Sequence, residues 1–218
     1  IGPEGLVVRA PRWTPLHQVE AALQEKADWI VRKLGQVRER NQRQHQTRIE
    51  WRDGTVLPFL GESLTLVLDP AHEFDACGAQ LERAADGLGG HRLRIGLSRS
   101  AAPEQIRDAV LAWLMRQAHE HFTTRLQHFA PLLQVRWHKL SLSSADTRWG
   151  SARVDGSIRL NWRLIHFRPA VIDYVVVHEL SHLRVMNHSP QFWDTVRAVV
   201  PDYADLRGQL RDDAVPRW

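Results

Sequence analysis

The stretch that most constrains this chain is His178-Glu179-Leu180-Ser181-His182, set in the apolar run Ile172, Val175, Val176 and Val177. So apolar a run has to be a buried helix, yet it carries two imidazoles and a carboxylate, which are costly to bury unless something neutralises or coordinates them. On a helix His178 and His182 stand one turn apart on one face, so both rings reach a single cation. Glu179 lies about 100° around from His178, close enough to take a proton from water at that cation without ligating it. Nitrogen ligands, a carboxylate base and an open coordination position are what a zinc-dependent hydrolase requires.

The flanking residues extend this reading. Pro169 suits the first turn of the helix, which is expected to run from about Arg168-Pro169 to Met186. Asn187 is placed to adopt a left-handed conformation and turn the chain. Ser189-Pro190 then read as the cap and first position of a new helix anchored by Phe192, Trp193, Val196 and Val199. His188 falls at the corner and is the third candidate ligand. Its spacing from His178 is that of a metzincin, but Val185 stands where those enzymes place glycine.

Upstream, Leu6–Pro11 reads as a short strand stopped by Pro11, followed by a helix from Thr14-Pro15. Val19, Leu23, Ala27, Ile30 and Leu34 mark a buried stripe on that helix. From Arg32 to Arg48 the pattern turns polar, with six basic residues and one acid, as a solvated helix end would. Strands are expected between Trp51 and Asp69, at Ala79–Ala84 and at His91–Leu97, with a glycine-rich turn at Asp86–Gly90. A long helix follows from Ser100-Pro103 to Pro131, its buried face marked by Ile106, Val110, Trp113, Leu114, Ala118, Phe122 and Leu126. His119, His121 and His128 on it lack a neighbouring HExxH-like carboxylate and read as packing or exposed residues. A strand at Val135–Leu142 precedes a hairpin around Asp155-Gly156, formed by Thr147–Ala152 and Ser157–Trp162.

These elements predict an α+β fold. Residues 1–97 form a β-rich N-terminal region with one long helix, and 98–218 a helical catalytic region with the HExxH helix at its centre, the two within one integrated domain. Cys77 is the only cysteine, which excludes an intrachain disulfide and a cysteine-based zinc site and fits a reducing, cytoplasmic compartment. No run is long and apolar enough to suggest a membrane span.

Three motifs carry a family resemblance. Arg148-Trp149-Gly150-Ser151, the run Leu160-Asn161-Trp162-Arg163-Leu164, and Ile172 to Leu183 followed by Asn187-His188-Ser189-Pro190-Gln191-Phe192-Trp193 resemble the YgjP-like metallopeptidases, a zincin-like group related to the SprT and WLM proteases. The likeness is dense from Thr147 to Leu210 and looser from Gly5 to about Leu34. It implies a zincin-like fold, Zn²⁺ held by His178, His182 and His188, and Glu179 as general base. Many members carry cysteine where this chain has Ala152, so no chemistry of that cysteine operates here.

The expected substrate is a peptide or protein, lying as an added strand along Ile158–Trp162. Arg148, Asn161, Arg163 and Tyr203 are candidates for stabilising the oxyanion. A rival substrate follows from charge: Arg136, Lys139, Arg148, Arg153, Arg159, Arg163 and Arg168 face only Asp146 and Asp155 between Leu133 and Arg168. A cationic rim beside a metal suits a nucleoside triphosphate, making a phosphoanhydride hydrolase the alternative, or it suits DNA, giving a DNA-associated protease. The sequence does not fix the oligomeric state.

Overall fold

A computed structural model of the chain describes residues 5–11, 13–35, 49–71, 79–83, 90–212, 216 and 218. The chain divides into two compact units, residues 50–215 and residues 1–49 with 216–218. Expectations for residues 36–48, for Cys77 and for most of the glycine-rich turn at 86–90 fall outside the described residues.

In the smaller unit, residues 6–10 form no strand, and Leu6, Val7 and Val8 are exposed. The expected strand had suitable side chains but finds no ladder partner there. Helix α1 (Leu16–Glu25) begins after Pro15 as expected, and a second helical stretch covers 27–35 after a turn at Lys26. The stripe is shallower than its periodicity suggests. Val19, Leu23, Ile30 and Leu34 are half-buried, Ala27 is exposed, and α1 buries no residue.

The larger unit opens with β1 (Val56–Phe59) and β2 (Glu62–Leu68), paired antiparallel around Leu60-Gly61. Both turn residues have positive φ, 50° and 81°, the conformation of a tight two-residue hairpin. Gly61 is required twice over, since a Cβ there would lie 2.7 Å from the Cβ of Arg168. Strands β3 (Ala79–Arg83) and β4 (His91–Ile95) pair antiparallel, and β4 joins β2 in parallel, giving the order β1-β2-β4-β3. Pro58 is tolerated because β1 is an edge. Leu64, Leu66, Leu68, Leu93 and Ile95 point to one face and are fully buried.

Helix α2 (Pro103–Leu132) buries Ile106, Val110, Trp113, Leu114, Ala118, Phe122 and Leu126, the face read from the sequence. Pro131 lies inside its last turn rather than beyond it, and the helix stops where Gln134 turns left-handed at φ 55°. The Phe59 and Trp113 rings meet at 5.1 Å, joining sheet to helix. The second sheet contains β5 (Lys139–Ser143), β6 (Gly150–Ala152) and β7 (Ser157–Asn161) in the order β5-β7-β6, with β5 and β7 parallel and β6 and β7 antiparallel.

A short 3-10 helix (Trp162–His166) leads to α3 (Pro169–Ser181), α4 (Pro190–Val199) and α5 (Tyr203–Asp212). Of α3, Val171, Ile172, Tyr174 to Val177 and Glu179 to Ser181 are buried, as its composition demands. Arg125 grips Asp173 with two hydrogen bonds of 2.5 and 2.9 Å, fixing α3 against α2. Arg168 reaches Gln209, tying the start of α3 to α5.

Candidate metal centre

Helix α3 ends at Ser181, with His182 as its C-cap, one turn sooner than Met186. Residues 182–184 form a turn, and Asn187 keeps negative φ. Instead of a left-handed residue, the corner uses the Asn187 side chain, which accepts a hydrogen bond from the Ser189 N–H at 3.3 Å. Pro190 then starts α4 as expected, and Phe192 is driven into the corner, fully buried.

That corner folds His188 back over the end of α3. The ligating atoms of His178, His182 and His188 all lie within 4.8 Å of one another. Phe192 packs on all three rings, with centroids 4.9, 4.5 and 4.8 Å away, and Trp193 stacks on His188 at 5.6 Å. The His178 and His188 Nε2 atoms are 3.2 Å apart. Two imidazole nitrogens at about 2.05 Å from a tetrahedral zinc are separated by about 3.3 Å. The residues therefore fit a divalent transition ion, and an all-imidazole set does not suit calcium or magnesium.

Protonation favours the same role. Burial, and then the neighbouring His182, His188 and Arg207, pull the His178 pKa down to about 3, so the ring is neutral as a ligand must be. His182 is lowered as well, chiefly by burial. Its Nδ1 lies 3.3 Å from the Val185 carbonyl, which it faces as a donor, leaving Nε2 for the cluster.

Glu179 is 5% exposed, and burial raises its pKa to about 8. The second sheet comes down directly on it. A Cβ built on Gly150 would stand 2.7 Å from the Glu179 Cδ, so only glycine lets β6 approach the carboxylate. Gly150 is thus a site residue that sequence reasoning named only as part of a motif. Tyr174 likewise entered only as part of a motif: it is 4% exposed, with its ring 5.9 Å from His178. Its place four residues before His178 on one helix face was the available signal. Burial, chiefly, raises its pKa.

The other candidates separate. Asn161 is buried, donates to the Ala145 and Arg148 carbonyls and accepts from the Arg163 N–H, so it holds the loop rather than a substrate. Arg163 donates to the Ser144 carbonyl and covers Trp162. Tyr203 stacks on Trp193 at 5.2 Å, beside the cluster. Arg159 and Lys139 do not ring the histidines. Arg159 is exposed between the buried Ile158 and Leu160, and Lys139 shares its face through the pairs Lys139–Ser157 and Ser141–Arg159, whereas Gly150 pairs with Leu160 on the face toward Glu179. The strand expected to take a peptide, Ile158–Trp162, falls on β7 up to Asn161, and β7 is central and already paired on both sides, so it cannot add another.

A histidine cluster capable of holding a metal ion, two members half-buried and His188 exposed, with a buried glutamate between the first two, defines a metal-dependent hydrolase. The chain belongs to the YgjP-like family, whose description, YgjP-like, metallopeptidase domain, matches residues 1–213. Among solved structures it is similar to the metallopeptidase zymogen of Pyrococcus abyssi abylysin, at 20% identity over 42% of this chain and 94% of that one, with a TM-score of 0.38. It is also similar to the metallopeptidase zymogen of Methanocaldococcus jannaschii jannalysin, at 15% identity over 41% of this chain and 93% of that one, again with a TM-score of 0.38. No match is found among curated proteins. Among the described residues, no helix is long and apolar enough to cross a membrane.

Proposed function

We propose that this metallopeptidase works with Zn²⁺ held by His178, His182 and His188, with Glu179 as general base and an extended peptide as substrate. The observation that carries the reading is the convergence of three imidazoles, one on α3, one at its C-cap and one at the corner after it, beside a buried carboxylate. Zinc, when bound, would supply Lewis acidity that polarises the scissile carbonyl and acidifies water. Glu179 takes the proton of the attacking water on its carboxylate and returns it to the departing amine. Burial raises the proton affinity of this carboxyl, which favours holding the proton between the two halves of the transfer.

Strand β6 is the edge of its sheet nearest this carboxylate. The Asn161 N–H donates to the Trp149 carbonyl and the Arg153 N–H to the Ser157 carbonyl, so Trp149, Ser151 and Arg153 direct their peptide groups toward β7. By antiparallel alternation Gly150 and Ala152 direct theirs to the open side. A substrate strand adding there would lie over Glu179, held by main-chain hydrogen bonds that are indifferent to its side chains. The cytoplasmic setting suggested by the lone Cys77 belongs to the same reading.

The test is incubation of wild type and Glu179→Gln with a mixed peptide library and with nucleoside triphosphates, the products identified by mass. New peptide termini should appear with wild type alone. Metal analysis should give about one zinc per chain in both proteins and none in His182→Ala. Intact peptides alongside Glu179-dependent nucleotide cleavage would overturn the substrate, and absence of any transition metal would overturn the centre.

A further inference from the structure

Helix α5 contributes a surface to the centre that its chemistry does not use. Tyr203 and Arg207 lie four residues apart on one face, and both rest on Trp193. The His188, Trp193 and Tyr203 rings are nearly parallel in succession, with interplanar angles of 24° and 17°. They form an aromatic wall leading away from the third histidine. Two guanidiniums decorate it, and they are not equivalent. Arg197 lies over Tyr203 and is compensated by Asp194 at 3.2 Å. Arg207 sits over Trp193 at 5.2 Å and, among the described residues, has neither a hydrogen bond nor a carboxylate partner.

We propose that Arg207 is a specificity-determining residue that receives a substrate carboxylate, the side chain of Asp or Glu or the chain's own C-terminus. The inference rests on the peptidase reading. A guanidinium lying over an indole is anchored through its face, while its N–H donors remain in the plane, free to fork onto a carboxylate. Asp205, two positions along, is about 200° around the helix and points elsewhere. Arg207 also stands within electrostatic reach of the catalytic helix, since its charge acts on both His178 and Tyr174. Steps of 5.6 and 5.2 Å, His188 to Trp193 and Trp193 to Arg207, place the guanidinium carbon within about 11 Å of the His188 ring. An extended peptide advances about 3.3 Å per residue, so the carboxylate belongs within roughly three residues of the scissile bond. Electroneutrality supports the assignment. The imidazoles add no negative charge, and among the described residues Glu179 is the one carboxylate set beside them, so Arg207 leaves this wall cationic until a ligand arrives.

The experiment measures binding rather than turnover. Zinc-loaded Glu179→Gln protein is titrated with fluorescent forms of one short peptide: free C-terminus, amidated C-terminus, and Asp or Glu replaced by Asn or Gln at successive positions. Carboxylate-bearing forms should bind about tenfold tighter than their neutral counterparts. Adding Arg207→Gln should shrink that ratio to within about twofold, and Arg207→Lys, which restores charge without the fork, should recover part of it. Loss on amidation assigns the C-terminus, and loss on Asp-to-Asn exchange assigns a side chain. Equal affinity for all forms, or an undiminished preference in the Arg207→Gln protein, overturns the proposal. Failure of the wild type to cleave any peptide would sink the peptidase reading while leaving this binding ratio readable.

Discussion

The sheet β1-β2-β4-β3 and the sheet β5-β7-β6 both combine antiparallel pairing with one parallel pair, β2 with β4 and β5 with β7, but their inward faces differ. The first presents Leu64, Leu66, Leu68, Leu93 and Ile95, every one a full side chain in a dry core. The second presents Ile158 and Leu160 from its central strand and, at its edge, Gly150, which has no side chain at all. Where the inward face consists of large aliphatics, the sheet contributes stability. Where one position is emptied, a carboxylate occupies the gap, and the sheet edge becomes part of the centre. A glycine in a strand weakens the strand, and here that cost coincides with the site.

Substitutions in the two sheets should therefore fail in opposite ways. The largest effect is expected from Leu66→Ala, which leaves a cavity in the first sheet: about 3 kcal/mol of unfolding free energy lost, read by denaturant titration. The folded fraction should retain normal peptide cleavage. Gly150→Ala should do the reverse. Its Cβ displaces Glu179, and a shift of about 1 Å in a catalytic group costs on the order of a hundredfold in kcat/KM, with zinc content unmoved and a stability loss of about 1 kcal/mol, smaller than that of Leu66→Ala. Loss of stability without loss of turnover in Gly150→Ala, or the converse in Leu66→Ala, would erase the distinction between the sheets.

His166 sharpens the comparison, because its Nδ1 donates to the Pro58 carbonyl at 2.6 Å and so links the segment after β7 to the first sheet. Burial holds its pKa down to about 4, against an ordinary 6.5. The folded state then binds fewer protons than the unfolded one. Its contribution is fully present above about pH 6.5 and is lost as pH falls from there toward 4. About 2 kcal/mol should be gone by pH 5. His166→Gln keeps a donor for Pro58 but does not titrate, so the difference between its acid unfolding curve and that of wild type isolates this group.

What the sequence disclosed follows from how local each signal was. The histidine cluster was legible because one apolar helix and one turn generate it, and α2 was legible because its periodicity runs over many turns. The corner was legible in outcome but not in detail, since a left-handed Asn187 and an Asx turn at Asn187 reverse the chain equally well. The order β5-β7-β6 was not legible. A hairpin motif states which strands are neighbours but not that β5 takes the other side of β7, and that pairing is what shifts the open edge to β6. Residues 6–10 had the side chains of a strand without a partner to pair with. Gly150 against Glu179 and Arg207 over Trp193 are tertiary approaches between different elements, which the periodicity within any one element does not report.

The separation of ten positions from the first to the third histidine also has a thermodynamic consequence. Closing so short a loop takes little entropy even in a disordered chain. A cation can therefore gather the three imidazoles in the denatured chain at a smaller entropic cost than ligands drawn from distant segments, and it retains part of its affinity there. Ligand binding stabilises a fold only by its preference for that fold over the alternative. Metal on this centre thus protects the structure less than its affinity for the native protein suggests, and chelation removes activity well before it melts the scaffold.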